Sequence, residues 1–546
     1  MMVRLKKRTR KMGQLNCGQA LVELLESYGI DTAFGIPGVH TIEFYRGLGD
    51  RTLNHVLTRH EQGAGFMADG YARVTGRAAA CFLISGPGLT NAATPIAQAY
   101  SDSQPMVVVA TTNTRREIGK GWGPFHELRN QRLIAEQFCG YAGQALSPED
   151  IPDIVAQAFA AMESGRPRPV YIEIPRDILS EKATGDWTPR RTGARPGPRK
   201  SLIAEAADLL GKAQRPLILT GAGANDASSA VTELVNLLDA TVVSSFCGKG
   251  VVAESHANVL GAALSMPDAR NLVEQADVCL AIGTELSTVD ASNQMLAFGG
   301  KLIRIDIDPK KMSDRYPADI AIVSDATLAA QALVACLMER SVVAASTSWK
   351  QQLDKVKAKL DVFGSPKSRE HRKVLDCLRD VLPDDGVVVG DMTQLAYTGN
   401  HFYRTEQPRT WLHPASFATL GYALPTAIGA KVAAPDRPVV SLAGDCGFLF
   451  TCQEMATAAD RKIPVVQILW NNEALGEIRD AMIGSQIAPV EVKGLNPDYL
   501  AMARSFHWNA ESAGTLDQLG EQLREAIQAD MPTLIEVREG GGDWAV

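Results

Sequence analysis

Between about Gly18 and Tyr28 the apolar residues Ala20, Leu21, Leu24 and Leu25 recur with a helical period. Beyond that segment the pattern turns into short, unbroken apolar runs separated by longer stretches of helical spacing. CFLIS (81–85), MVVVA (106–110) and PVYIEIP (169–175) are the first of these. Similar runs follow in RPLILTGAG (215–223), ATVVSS (240–245), DVCLAIG (277–283) and KLIRIDIDP (301–309), then in GVVVGD (386–391), PVVSLAGD (438–445) and PVVQILWNN (464–472). Continuous apolar runs rich in β-branched residues read as strands buried on both faces, and their alternation with helices predicts parallel sheets.

A chain of 546 residues is too long for one core, and at ~150 residues per domain it should hold three or four packed units. Residues 186–200, DWTPRRTGARPGPRK, carry three prolines, two glycines and five basic side chains, a composition that cannot build a core and so marks a boundary. A second boundary is expected at about 345–367. The reading is therefore α/β, with three doubly wound parallel-sheet domains over 13–185, 201–345 and 366–546, the middle one similar to a Rossmann-type sheet. The first and third could share one winding plan.

Charge and composition remove several function classes. The 55 basic against 62 acidic residues give a net charge of −7, and beyond residue 11 the basic residues are dispersed, so nucleic acid is not an expected partner. No apolar run approaches the roughly 20 residues that span a bilayer, so no membrane partner is expected. Nine cysteines form no CxxC pair, as in a reduced intracellular protein. The start, MMVRLKKRTRKMG, is basic but lacks the apolar core of a secretory signal. The expectation is a cytoplasmic protein whose residues 1–11 are either a tail or an over-long start.

Chemistry concentrates where strands should end. Gly444-Asp445-Cys446-Gly447 closes one run and Asn471-Asn472 closes the next, with Asp445 and Asn472 separated by 27 positions. In open α/β sheets, ligands bind outside the carboxyl ends of strands, and Asp and Asn oxygens with a backbone carbonyl suit a hard divalent ion. Alone, the first would be an ordinary turn and the second an ordinary loop. As a pair at this spacing they imply magnesium holding a diphosphate.

This pair resembles the signature of the thiamine-diphosphate-dependent enzymes: Gly-Asp-Gly, some 25 to 30 residues, then Asn-Asn. Cys446 stands where that signature has its second glycine, a place where small residues are tolerated. The resemblance implies that Gly444, Asp445, Cys446 and Asn472 bind the cofactor, and that Asp445, Asn472 and the carbonyl of Ala474 ligate magnesium. RHEQGAGFMADGYAR (59–73) resembles the segment carrying the family's cofactor-activating glutamate, here Glu61. A carboxyl facing the pyrimidine ring is what such activation needs; a favourable charge at a helix N-terminus is the plainer account of the same residue. FGIPGVHT (34–41) and SGPGLTN (85–91) are similar to loops beside the reacting centre. ASFATLGYALPTAIGAK (415–431) resembles the segment that holds the cofactor bent, with the Ala418 carbonyl and Leu420 against it. Gln394 matches a diphosphate-contacting position, and Leu395 stands where acetolactate synthases have a histidine. The implied domains are pyrimidine-binding, central and diphosphate-binding, and the implied assembly is a homodimer or homotetramer with active sites at subunit interfaces.

Within that family the chain resembles the acetolactate synthase branch, with departures. Gly283-Thr284-Glu285-Leu286-Ser287 replaces the synthases' flavin-associated signature, so FAD is not expected. GAGAN (221–225) reads as a strand-to-helix turn. Glu477 and Ala481 stand where the synthases have an apolar residue and a tryptophan shaping the acceptor pocket, and His126 stands in place of a glutamine. Positions i and i+4 share a helix face, so the exchange opens space and adds a carboxylate. With FGIPGVHTIEFYRGL (34–48) and WGPFHELRNQ (122–131), these features make the chain similar to the 5-guanidino-2-oxopentanoate (2-ketoarginine) decarboxylases. A guanidinium needs a planar carboxylate partner. Glu477 is the first candidate, followed by Glu127 and Asp480, against the plainer reading of three solvated acids. The proton returned after carbon dioxide leaves would come from His40 or His126. A carboligase joining 2-oxo acids or aldehydes is the alternative, and a non-turnover cofactor-binding scaffold a third, opposed by the joint presence of Glu61, Asp445 and Asn472.

Overall fold

A computed structural model describes residues 15–49 and 52–545. The basic stretch 1–11, the first two residues of the 13–185 unit and Val546 lie outside those residues. The chain divides into two compact units, Met1–Ala194 and Arg195–Val546.

In the first unit the helix Cys17–Ser27 starts at a capping box formed by Asn16 and Gln19, and it buries Ala20, Leu21, Leu24 and Leu25, the stripe its sequence spacing predicts. Six parallel strands follow: β1 (Thr32–Gly35), β2 (Asn54–Leu57), β3 (Ala80–Leu83), β4 (Met106–Thr112), β5 (Tyr141–Gln144) and β6 (Pro169–Pro175). They lie in the order β2-β1-β3-β4-β6-β5. Every residue of β3, β4 and β6 is buried, which explains their unbroken apolar runs.

The second unit holds two further sheets. The central one contains β7 (Pro216–Thr220), β8 (Thr241–Ser244), β9 (Val259–Gly261), β10 (Val278–Ile282), β11 (Lys301–Asp306) and β12 (Ile320–Val323), in the order β12-β11-β10-β7-β8-β9. Counted from its own first strand, this is the 3-2-1-4-5-6 order of dinucleotide-binding sheets. The last sheet contains β13 (Val387–Gly390), β14 (Trp411–Leu412), β15 (Val439–Gly444), β16 (Val466–Asn471), β17 (Asn509–Ala513) and β18 (Thr533–Arg538), in the order β14-β13-β15-β16-β18-β17. Its order, 2-1-3-4-6-5 counted internally, is that of the first sheet. All strand pairs in the three sheets are parallel.

Residues 186–199 carry no helix or strand. The stretch 345–367 differs from its expected role as a boundary. It contains the helix Thr347–Val362, whose Trp349, Leu353 and Val356 pack into the same core cluster as Leu217 and Cys279 of the central sheet. Their spacing forms a narrow apolar stripe hidden among lysines and glutamines, too narrow to stand out from the surrounding charge.

Candidate active site

In the first sheet the chain reverses its winding direction between β1 and β3, so the crevice for a ligand lies where those two strands end. Gly35, the last residue of β1, allows that closeness, since a Cβ there would lie 2.4 Å from the Phe82 carbonyl oxygen. The loop after β1 carries His40 and the turn after β3 carries Ser85 and Gly86. His40 Nδ1 is 2.9 Å from Ser85 Oγ, and the His40 and His126 rings meet edge to face with centroids 5.1 Å apart. His126 adopts a left-handed φ of 61° and its backbone presses on Gly86, whose Cβ would lie 2.5 Å from the His126 oxygen. Two of the histidines named from sequence are thus brought together. Burial, then the charges of Arg176 and His126, hold His40 below the usual histidine range.

Glu61 opens the helix Glu61–Thr75. Gly65 lies so near Pro95, 2.5 Å from its Cγ to a would-be Cβ, that the helix Pro87–Ser101 seats closely against it. Asn91 of that second helix donates from Nδ2 to Glu61 Oε2 at 3.0 Å. The other conspicuous polar residues of 59–73 are structural: Arg73 is buried between Asp69 (2.6 Å) and Asp102 (2.7 Å). Gln131 ties the site to the sheet, accepting from the Gly86 N–H at 2.7 Å and donating to the Thr111 carbonyl at 2.8 Å.

The last sheet repeats the arrangement. Its winding reverses between β13 and β15, and β16 ends beside them. Asp445, 1% exposed, follows β15, and the backbone N–H groups of Cys446, Asn472 and its own residue favour its charged form. Asn496 Nδ2 donates to Asp445 Oδ2 at 2.7 Å and to Asn471 Oδ1 at 3.2 Å, while the Tyr499 hydroxyl donates to the Asp445 carbonyl at 3.0 Å. Burial pushes the Asp445 carboxyl up, opposed by the Asn496 amide and these backbone donors. Asn472 Oδ1 accepts from the Ala474 N–H at 3.2 Å across Glu473, which takes a left-handed φ of 53°. A carboxylate and a side-chain amide thus stand at the carboxyl ends of the neighbouring strands β15 and β16, oxygen donors of the kind that suits a small hard cation. Gly444 packs on Thr393, and Cys446 is half-buried with its thiol pushed up by burial and by Asp445. No cluster of three His, Cys, Asp or Glu side chains that could hold a metal occurs among the described residues.

Asp391, at the end of β13, is also 1% exposed. Its carboxylate accepts from the N–H groups of Met392 (2.8 Å), Gly421 (3.2 Å) and Ala423 (2.9 Å), and burial pushes it up to about 6. It therefore anchors the end of the 415–421 loop, in which Ala418 has a left-handed φ of 60° and is exposed. Leu420 is half-buried and its Cδ2 lies 3.6 Å from the position a Cβ on Gly447 would take. Leu395 is wholly buried in the core of this sheet.

Gln394 does not present a free amide. Its Nε2 donates to Glu477 at 3.0 Å and Asp480 at 2.9 Å, and its Oε1 is buried without a partner. Asp480 also meets Lys367 at 3.2 Å and Arg479 at 2.9 Å. Burial works against its charge, but the bonds from Gln394, Arg479 and Lys367 outweigh that and hold it down to about 2. Glu127 is taken up by its own loop, receiving the N–H groups of Gly121 and Gly123, each at 2.9 Å. Glu477 and Ala481 are exposed on the helix Gly476–Gly484, and Glu477 has no cationic partner among the described residues. Asn91 and Asp391 lie within segments the sequence singles out, but neither stands apart there, and Asn496 and Tyr499 sit in a stretch without pattern.

In the central sheet the pairing of β7 with β10 continues for a few residues past the strand ends. The Gly221 N–H bonds to the Ile282 carbonyl at 3.1 Å and the Gly223 N–H to the Gly283 carbonyl at 3.0 Å.

Comparison with known proteins agrees with this architecture. Residues 15–133 match the N-terminal TPP binding domain of thiamine pyrophosphate enzymes, 203–333 their central domain and 391–537 their C-terminal TPP binding domain. The chain belongs to the thiamine pyrophosphate enzymes. A probable 2-ketoarginine decarboxylase of Pseudomonas aeruginosa is 44% identical over 96% of this chain and 94% of that protein. A probable acetolactate synthase large subunit of Methanocaldococcus jannaschii is 33% identical over 95% and 91%, and the acetolactate synthase of Mycobacterium bovis 35% over 85% and 77%.

Proposed function

We propose that this chain is a thiamine-diphosphate-dependent decarboxylase that converts 5-guanidino-2-oxopentanoate to 4-guanidinobutanal and carbon dioxide. When bound, thiamine diphosphate supplies the electron sink that lets a 2-oxo acid lose carbon dioxide. In this reading Asp445, Asn472 and the Ala474 carbonyl hold Mg2+, and Gly444 and Cys446 line the diphosphate. Ala418 and Leu420 would support the cofactor, and Glu61 would hold a proton beside its pyrimidine ring. His40 and His126 border the substrate, one of them returning the proton.

The observation that carries the substrate reading is the difference among three carboxylates. Glu127 is engaged by glycine N–H groups and Asp480 by two cations, whereas Glu477 bonds only a neutral amide. A carboxylate left uncompensated beside an alanine where bulk is expected suits a guanidinium tail. A flavin has no part in this reading, because Gly283-Thr284-Glu285-Leu286-Ser287 stands in place of the flavin-associated signature. The assembly is taken as a homodimer or homotetramer in the cytoplasm, with one domain boundary near 185–201 and the other just after the helix Thr347–Val362, before the helix that starts at Pro366.

Carbon dioxide release, compared for the guanidino acid, pyruvate and an uncharged 2-oxo acid of equal length, tests the proposal. Preference for the guanidino acid that Glu477→Gln abolishes is the expected result. The similarity to acetolactate synthases favours one alternative, a carboligase: pyruvate consumed best, with a larger acyloin as product, would replace the present reading.

A further inference from the structure

The hydroxyls behind His40 have a definite hydrogen-bond direction. Thr111 Oγ1 accepts the Ser85 backbone N–H at 3.1 Å and lies 3.0 Å from Ser85 Oγ. Ser85 Oγ in turn lies 2.9 Å from His40 Nδ1. Thr111 is 0% and Ser85 1% exposed, so each hydroxyl hydrogen must find an acceptor inside the protein. For Thr111 the acceptor within reach is Ser85 Oγ. If the Thr111 hydroxyl donates there, the Ser85 hydroxyl is directed onto His40 Nδ1, and Nδ1 must be the bare nitrogen of the ring. In the reverse order, with Nδ1–H donating to Ser85 and Ser85 to Thr111, the Thr111 hydrogen would be buried without an acceptor, which is unfavourable. His40 Nε2 makes no hydrogen bond among the described residues and is not sealed from solvent.

We propose that Ser85 and Thr111 are positioning residues that fix His40 in the tautomer carrying its hydrogen on Nε2, so that the ring meets a 2-oxo acid as a neutral hydrogen-bond donor. The inference rests on the reading of His40 as a substrate-facing residue and deepens it. It also gives the two histidines different tasks: His40 orients the substrate through Nε2–H, and the half-buried His126 is left to return the proton. The charged groups that bear on His40 are Arg176, His126 and Glu117; Ser85 and Thr111 add no charge, only direction.

The pH dependence of Cε1 hydrogen–deuterium exchange at His40, followed by mass spectrometry in the full-length protein, reads the tautomer without turnover. Ser85→Ala removes a donor from Nδ1 and makes the ring easier to protonate, so the midpoint should rise. Thr111→Val, which is isosteric, should move it the same way by less, and Thr111→Ser should restore it. If His40 instead donates to Ser85, Ser85→Ala removes an acceptor and the midpoint falls. A fall, or no movement in either variant, overturns the proposal. The turnover arm should show kcat for carbon dioxide release reduced by about 10-fold in Ser85→Ala, with KM nearly unchanged; an unchanged kcat overturns the positioning role. Absence of carbon dioxide release from every 2-oxo acid in the wild-type protein would count against the proposed function instead, while the exchange midpoints would still decide the tautomer.

Discussion

At Glu61 one carboxylate oxygen is occupied by the Asn91 amide, and the role proposed above falls to the other. Glu61→Gln keeps the shape and a partner for Asn91 but cannot hold and release a proton. Its expected effect is a loss of about 10²- to 10⁴-fold in kcat for carbon dioxide release, with cofactor affinity by fluorescence titration little changed. Asn496 acts differently, through the carboxylate of Asp445. If Asp445 ligates Mg2+ as proposed above, Asn496→Ala should raise the Mg2+ concentration for half-activation by roughly 10-fold, as outer hydrogen-bond partners of metal ligands do. The two residues also differ in how visible they are in the sequence. Glu61, Asp445 and Asn472 stand in short motifs at strand or helix ends. Asn496 reaches Asp445 from an irregular segment, and such a contact has no local pattern because the fold alone makes the two neighbours.

Among the elements, the strands predicted from sequence are largely buried on both faces, although β1 (TAFG) and β18 (TLIEVR) are buried too and are not predicted. β2, with only Val56 fully buried, and β17, NAESA, which is mostly exposed or half-buried, lie at or beside sheet edges and so lack a continuous apolar run. Burial accounts for the stability of two helices as well. Arg73 is held between two buried aspartates, and Arg73→Met should destabilise the first unit by about 3–5 kcal/mol because it leaves buried charge uncompensated, measurable by urea denaturation. On the helix Pro366–Val381, His371 is 2% exposed, bonds Thr398 through Nδ1 and meets Trp470 edge to face. Burial is the main cause that lowers it from 6.5 to about 4. Its folded pKa is depressed, so its contribution is present above the unfolded value and is lost as pH falls from about 6.5 towards 4, on the order of 3 kcal/mol in all. The unfolding free energy measured against pH should show this slope, and His371→Leu should flatten it.

Across the whole molecule the first and last sheets share one strand order, and each carries its polar residues at the same place in that order. The sequence permits this expectation but cannot establish it, because strand order depends on which strands pair and not on any one strand's composition. Thiamine diphosphate with Mg2+ at 100 times its Kd should stabilise the protein that binds it by about 2.7 kcal/mol, seen as a rise in Tm that a chelator reverses. Each unit also has its own buried clusters, joined by residues 186–199, which lack helix or strand. Trypsin should cut first at Arg190, Arg191 or Arg199, giving two fragments on a gel before either is degraded. The same segment is where a gene could be divided into two reading frames. The first product would carry one sheet and the second the other two, and because the products are separate polypeptides, one could be labelled with isotopes while the other stays silent in the spectrum.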